Sequence, residues 1–245
     1  MAGRLQSFGC SFFFGTDLGD ENPGVREEGA KTTNRAASKK TWPAIIAKNL
    51  GLRYECYAWP GIGNDQIAKT IYANAKEGSV VLINWTYIDR FDYINSVSEP
   101  PELNPFDLDL SICPGDNNST ARVYYDNFHS ERQDKWRSLQ LIYSTHQYLK
   151  SKNIKFISTY MDHLLFDTKF HSPPYIKNLQ SQIKDDLHRF ARYNFVEWAN
   201  KKQFPISANN HPLHEAHERA AEIWMMKVND LHEEYTINYA ENDDK

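Results

Sequence analysis

The sequence lacks the features that would place a protein in a membrane or in an oxidising compartment. No stretch approaches the roughly 20 consecutive apolar residues of a membrane-spanning helix, and the residues that follow Met1 do not form an apolar signal core. The three cysteines, Cys10, Cys56 and Cys113, show neither pairing nor metal-ligand spacing. We therefore expect a cytoplasmic protein with reduced cysteines and no membrane partner.

The sequence also lacks an excess of one charge and the motifs that hold cofactors. Its 28 Lys and Arg against 32 Asp and Glu give a net charge of −4, so nothing indicates a nucleic-acid partner. No glycine-rich phosphate loop follows the first predicted strand, which argues against a nucleotide or flavin cofactor. His214, His217 and Glu218 share a helix face but complete no metal motif. We expect no cofactor and no metal.

Apolar strand-like segments alternate along the chain with segments of helical periodicity. The alternation predicts an α/β fold with a mostly parallel sheet of about five strands and helices on both faces. We expect a single domain spanning 1–245, with a long polar loop over 15–40 and an irregular excursion or lid around 92–131. The predicted strands are 4–9, 54–58, 79–85, 154–160 and 195–198, and the main predicted helices are 42–50, 132–152, 175–190 and 212–233.

Residues at the expected carboxyl edge of this sheet have the chemistry of acyl transfer. Ser11 follows the first strand two residues after Gly9, and a serine needs an adjacent base to become a nucleophile. His211, at the start of the last helix, is the best candidate for that base. Gly61, in the turn after the second strand, has no side chain to keep its N–H from a developing oxyanion.

These segments resemble the conserved blocks of the SGNH/GDSL hydrolase superfamily. Phe8-Gly9-Cys10-Ser11-Phe12 is similar to the first block, Ala58-Trp59-Pro60-Gly61-Ile62-Gly63-Asn64 to the second, and Asn210-His211-Pro212 to the last, in the same order. The Gly-Cys-Ser-Phe form looks most like phage and bacterial members, so a phage-encoded chain would lie in the host cytoplasm or the virion. The resemblance implies a flavodoxin-like three-layer α/β/α sandwich and a metal-free esterase or acyl hydrolase.

Three family positions are not matched, the first being the usual Asp of the first block, which is replaced by Cys10. The third block usually reads Gly-x-Asn-Asp and supplies an oxyanion donor, whereas here only Asn84, Thr86 and Arg90 offer substitutes. An Asp usually precedes the histidine by two or three residues, but those positions hold Asn209 and Ala208. His211 could therefore act with Ser11 as a dyad, be oriented by Asn209, or use a carboxylate from elsewhere in the chain; the machinery could also be crippled.

The hypothesis that follows is a serine esterase acting on an ester or acetyl group of a carbohydrate or similar small polar substrate. Ser11 and His211 would be catalytic, and the substrate and oxyanion would meet Gly61, Asn64, Asn84, Thr86 and Arg90. The alternative is a non-catalytic module of the same fold with a binding or assembly role, for example a phage accessory or virion protein. The sequence does not indicate the oligomeric state.

Overall fold

The computed structural model describes residues 3–21, 37–94 and 109–243. Within these ranges strands and helices alternate for most of the chain, as the sequence predicts. The strands are β1 (Arg4–Gly9), β2 (Arg53–Cys56), β3 (Ser79–Trp85), β4 (Phe91–Ile94), β5 (Asp109–Ile112), β6 (Lys155–Tyr160) and β7 (Leu187–His188). The helices are α1 (Ser11–Phe14), α2 (Trp42–Asn49), α3 (Asn64–Asn74), α4 (Ser119–Asn127), α5 (Glu131–Ser151), α6 (Pro174–Ile183), α7 (Phe195–Lys201) and α8 (His214–Asp243).

Five strands form one parallel sheet in the order β2-β1-β3-β6-β7. The register pairs Phe8 with Ile83 and Gly9 with Asn84, so β1 and β3 end side by side. From β1 the chain continues to β2 on one side and then to β3 on the other, so the strand order reverses between β1 and β3. In open parallel sheets, ligands bind at the carboxyl edge next to such a reversal. The prediction of a mostly parallel sheet of about five strands is confirmed.

The sheet is covered by two groups of helices. Every residue of β3 is buried, as expected for a strand covered on both faces. Helix α2 packs with α8, and α5 packs with both α3 and α6. The result is the expected three-layer α/β/α arrangement, with the continuous apolar run of β3 at its centre.

The predicted last strand was wrong. Residues 195–198 begin helix α7 instead, because Asn194 and Glu197 form a capping box that starts a helix. The Asn194 side chain accepts a hydrogen bond from Glu197 N at 2.9 Å, and the Glu197 side chain accepts one from Asn194 N at 3.0 Å. The fifth strand is the short β7, which lies inside the segment 175–190 that the periodicity predicted as helix.

The region 92–131 contains regular structure. Strands β4 and β5 form an antiparallel hairpin in which Asp92 pairs with Ser111, and α4 follows. Residues 95–108 of this region, and 22–36 of the predicted polar loop, lie outside the described residues. Among the helices that the structure describes, none has the length and apolar character to cross a membrane.

Candidate active site

Ser11 begins a single helical turn at the end of β1. Cys10 precedes it in extended conformation, and its carbonyl accepts hydrogen bonds from Phe13 N and Phe14 N, both at 3.1 Å. Ser11 is therefore the first helical residue, where a backbone N–H has no partner within the helix. Gly9 suits the position before this turn, because a Cβ there would lie 3.0 Å from the Asn84 carbonyl oxygen. The hydroxyl and the N–H of Ser11 thus lie at the carboxyl edge of the sheet, just beyond the end of β1.

Three consecutive phenylalanines hold this turn in place. Phe13 packs edge-to-face on Trp42, and Phe14 packs in the same manner on Trp59. The ring of Phe12 meets the imidazole of His211 edge-to-face, with 5.4 Å between ring centroids. His211 is therefore held beside the residue next to Ser11, although the two lie 200 positions apart in the chain.

The imidazole of His211 is bound to a carboxylate from the first loop. His211 Nδ1 lies 2.8 Å from Asp17 Oδ2, and both side chains are mostly buried, with exposures of 15% and 26%. Because Nδ1 is bound to the carboxylate, Nε2 is the nitrogen left to exchange a proton. Asp17 is therefore the residue that would supply His211 with a carboxylate from elsewhere in the chain.

Asp17 Oδ2 also accepts two hydrogen bonds from the segment before His211. Ser207 Oγ donates at 2.7 Å and Asn209 Nδ2 at 3.2 Å. These hydrogen bonds, with that of His211 as the strongest influence, lower the pKa of Asp17 below its usual 3.8. Asn209, predicted to orient His211, is placed against Asp17, so any effect it has on the imidazole passes through that carboxylate.

The second family block lies alongside the end of β1. Trp59 N donates to Gly9 O at 3.1 Å, which brings the following turn to the edge where Ser11 starts α1. Gly61 in that turn is exposed and has φ +83°, a conformation that favours glycine. A Cβ at Gly61 would meet nothing within 4 Å, so its backbone faces open space.

Asn64 and Thr86 are buried and joined to each other. Asn64 Oδ1 accepts from Thr86 N at 2.9 Å, and Asn64 Nδ2 donates to Ser138 Oγ at 3.1 Å. The amide of Asn64 therefore ties the second block to the segment that follows β3. The Thr86 hydroxyl is buried and has no hydrogen-bond partner among the residues that the structure describes.

Asn84 and Arg90 are held by other parts of the protein. Asn84 Nδ2 donates to Thr159 Oγ1 on β6 at 3.0 Å, which occupies the group that the third block would offer to an oxyanion. Arg90 Nη1 donates to the carbonyl of Ile62 at 3.0 Å. The Arg90 guanidinium therefore supports the glycine turn by binding a backbone carbonyl within it.

The other histidines at the start of α8 show how the helix is fixed. His217 is buried, and its Nδ1 accepts a hydrogen bond from Trp42 N at 3.1 Å, at the N-terminus of α2. His214 pairs with Glu218 at 3.2 Å on the same helix. The described parts of the chain contain no group of three or more His, Cys, Asp or Glu side chains arranged to hold a metal ion.

Sequence reasoning missed two acidic residues. Asp17 was not singled out because the sequence leaves open which distant carboxylate could contact His211. Asp92, whose carboxylate contacts the second block from the hairpin, had no motif to mark it. A signal for Asp17 existed in its position, since it lies only six residues after Ser11.

Comparison with known proteins gives structural likeness only. No family model and no curated protein matches the chain. Similar solved structures include a protein from Desulfitobacterium hafniense described as lipolytic and of the G-D-S-L family, with 10% identity, a TM-score of 0.45 and coverage of 91% of this chain and 98% of that one. An acetyl-xylooligosaccharide esterase from Geobacillus has 12% identity, a TM-score of 0.47 and coverage of 92% and 94%.

A third similar structure is an acetyl xylan esterase from Butyrivibrio proteoclasticus. It has 13% identity and a TM-score of 0.47, over 94% of this chain and 64% of that one. At these sequence identities the similarity is limited to the path of the backbone. The function of this protein accordingly has to be inferred from the geometry of its own site.

Proposed function

We propose that this protein is a serine esterase of the SGNH type that acts on an acetyl or short acyl ester of a carbohydrate or similar small polar molecule. The observation that carries the proposal is the 2.8 Å contact of His211 Nδ1 with Asp17 beside the turn that bears Ser11. A nucleophile, a base and a carboxylate that orients the base are the parts that serine acyl transfer requires.

In the proposed reaction, Ser11 Oγ attacks the ester carbonyl carbon while His211 Nε2 takes the hydroxyl proton. The backbone N–H groups of Ser11 and Gly61 donate to the oxyanion as it forms, and each donor is worth about 3 kcal/mol in the transition state. The intermediate collapses, the C–O bond to the alcohol breaks, and His211 returns the proton to the leaving oxygen. Water then repeats the cycle on the acyl-serine and regenerates Ser11.

Asp17 acts on His211 and does not itself exchange a proton. Its carboxylate holds the imidazole in one tautomer and stabilises the imidazolium that forms during attack. The hydrogen bonds from Ser207 and Asn209 keep the carboxylate ionised, because they lower its pKa. The missing family Asp would thus be replaced by one that lies 194 residues before the histidine.

The second candidate function is a non-catalytic binding or assembly module. It is favoured by the side chain of Asn84, whose amide Nδ2 binds Thr159 and is not offered to an oxyanion. Under this hypothesis the Ser11 turn would be a binding feature and the protein would not turn over esters.

Hydrolysis of p-nitrophenyl acetate and of acetylated xylo-oligosaccharides by wild type and Ser11→Ala separates the two candidates. The esterase proposal predicts turnover by wild type and a loss of at least about 1,000-fold in kcat for Ser11→Ala. Cys10→Ser is the matched control, because it changes the adjacent side chain and leaves the hydroxyl of Ser11. Equal activity in wild type and Ser11→Ala would refute the assignment.

A further inference from the structure

The glycine turn that would bind the oxyanion is anchored by the segment that follows β3. Arg90 donates to Ile62 O within the turn, and Asn64, just after it, binds the backbone of Thr86. Two more anchors come from Asp92 at the start of the β4–β5 hairpin. The turn is thus positioned from the hairpin side and not by its own sequence alone.

Asp92 accepts hydrogen bonds from two backbone N–H groups at the start of α3, directly after the glycine turn. Its Oδ1 accepts from Gly63 N at 2.8 Å and its Oδ2 accepts from Gln66 N at 2.9 Å. Both N–H groups belong to the start of α3, where they have no partner within the helix. A carboxylate in this position also interacts favourably with the positive end of the helix dipole. Asp92, on strand β4, therefore caps the start of α3 in place of a side chain at the N-cap position.

Gly63 is required by this contact. Its φ of −93° is ordinary, yet a Cβ at this position would lie 2.6 to 2.8 Å from the carboxylate of Asp92. The glycine is thus explained by the close approach of Asp92 and not by backbone strain. The second glycine of the Gly61-Ile62-Gly63 motif and the aspartate form one unit.

The hairpin holds the carboxylate in turn. Ser111, the antiparallel partner of Asp92 on β5, donates its hydroxyl to Asp92 Oδ1, and Gln66 Nε2 donates to the same hydroxyl at 3.2 Å. Burial raises the pKa of Asp92 from its usual 3.8, while the hydrogen bonds from Ser111, Gln66 and Gly63 oppose that shift. The carboxylate, the hydroxyl and the start of α3 therefore form a closed hydrogen-bonded network.

We propose that Asp92 is a positioning residue of the active site, which fixes the Gly61 N–H for the oxyanion through its bonds to Gly63 N and Gln66 N. The inference rests on the proposed esterase function. It assigns the β4–β5 hairpin a role in catalysis that is distinct from covering the site as a lid.

The test compares Asp92→Asn with Asp65→Asn. An asparagine at 92 keeps the shape but presents an NH₂ to one of the two backbone N–H groups, so one bond is lost. Asp65 is a first-turn acid of α3 that pairs with Lys69 at 2.7 Å. Each variant therefore removes one carboxylate charge near the start of α3, but only Asp92 accepts a hydrogen bond from Gly63 N.

Two measurements are made on each variant. The first is kcat and KM for p-nitrophenyl acetate, where Asp92→Asn is expected to lower kcat about 10-fold or more while KM changes less than about twofold. The second is backbone hydrogen exchange in the 61–66 peptide, which is expected to accelerate in Asp92→Asn and to stay at the wild-type rate in Asp65→Asn. Ser111→Ala, which leaves the carboxylate in place, is expected to move both readouts in the same direction by less.

The outcomes separate this inference from the proposal beneath it. Folded Asp92→Asn with wild-type kcat or wild-type exchange overturns the positioning role, and so does an equal loss in Asp65→Asn. If Asp92→Asn does not fold, Ser111→Ala decides by the same two readouts. A wild type that hydrolyses no ester defeats the proposed function itself, while the exchange measurement still reports whether Asp92 holds the turn.

Discussion

At the scale of single residues, the contact between Asp17 and His211 depends on two unusual backbone conformations. Asp17 has φ 71° and Asn210, next to His211, has φ 61°. Asp and Asn adopt this left-handed region more readily than other non-glycine residues. The residue types that form the loops thus suit the conformations that bring the carboxylate and the imidazole together.

We predict that Asp17→Asn lowers kcat for ester hydrolysis by at least about 100-fold and leaves the fold intact, since an amide cannot stabilise the imidazolium. The pKa of Asp17 lies below 3.8 because of its hydrogen bonds, so its charge is present at all higher pH values and is lost only as the pH falls through that lowered pKa. The measurement is steady-state kinetics between pH 5 and 9.

Asp20→Asn is the matched control for this variant. Asp20 lies in the same loop, and its carboxylate accepts hydrogen bonds from Lys39 N at 3.0 Å and from Ser38 Oγ rather than from the imidazole. Its activity is expected to equal that of wild type. An Asp17→Asn enzyme that stays within about threefold of wild type in kcat would show that His211 needs no carboxylate.

Ser11 and His211 were singled out at this scale because short local motifs mark them. Asp17 was not, because its partner lies 194 residues away and no local pattern encodes such a contact. Asp92 was missed for the same reason, because Gly63, whose N–H it binds, lies 29 residues away in the sequence. The assignments of Ser11, His211 and the oxyanion residues stay predictions until activity is measured.

At the scale of elements, the short helix α1 ends at a glycine that no other residue replaces easily. Gly15 has φ +85°, and its N–H donates to Ser11 O at 2.8 Å. A Cβ on Gly15 would lie 2.4 Å from Ser38 Cβ and 2.6 Å from Thr41 Cγ2. The turn that presents Ser11 is thus closed by a residue that must be both left-handed and small.

We predict that Gly15→Ala lowers the free energy of unfolding by about 1–3 kcal/mol more than Gly51→Ala does, because of overpacking against Ser38 and Thr41. Gly51 has φ +65° but open space around its Cβ position, so alanine there suffers only the left-handed backbone strain of about 1 kcal/mol. Urea unfolding of both variants measures the difference. Equal destabilisation would mean that the neighbouring residues yield to the added methyl group.

The elements with apolar runs or clear helical periodicity were predictable from the sequence. β3 was found at its predicted bounds because burial on both faces requires a continuous apolar run. β1 and β6, which mix apolar and polar residues, were also found close to their predicted bounds. The strand predicted at 195–198 was wrong because the Asn194 and Glu197 capping pair starts a helix there. The β4–β5 hairpin was missed because each of its strands has only four residues.

At the scale of the whole molecule, a buried histidine adds a hydrogen bond to the packing of helix α8 against helix α2. His217 on α8 accepts from Trp42 N at the start of α2, 175 residues away, and packs edge-to-face on Phe195. Burial lowers the pKa of His217 to about 3. The neutral imidazole therefore joins α8 to α2, and the single domain over 1–245 stays a prediction that this contact favours.

We predict that acid destabilises the protein in part through His217. The unfolded histidine takes a proton near pH 6.5 and the folded one only near 3, so stability is fully present above 6.5 and falls as the pH drops through that window. One such group contributes a slope of about 1.4 kcal/mol per pH unit. Urea unfolding of wild type and His217→Asn between pH 7 and 4 measures it.

His217→Asn keeps an acceptor for Trp42 N and removes the titration, so its free energy of unfolding is expected to depend less steeply on pH. The prediction concerns the slope and not the absolute stability, which falls with the loss of the ring. An unchanged slope in His217→Asn would assign the acid sensitivity to other groups.

The central claim is that Ser11 is an activated nucleophile. Its most direct test is intact-mass spectrometry after incubation with a fluorophosphonate, in which the serine oxygen would bond to phosphorus as fluoride leaves, followed by peptide mapping. The account predicts one adduct per chain, located on Ser11, absent in Ser11→Ala and formed much more slowly in His211→Ala and Asp17→Asn. Folded wild-type protein that gains no adduct, or gains it elsewhere, would contradict the claim and favour the binding module.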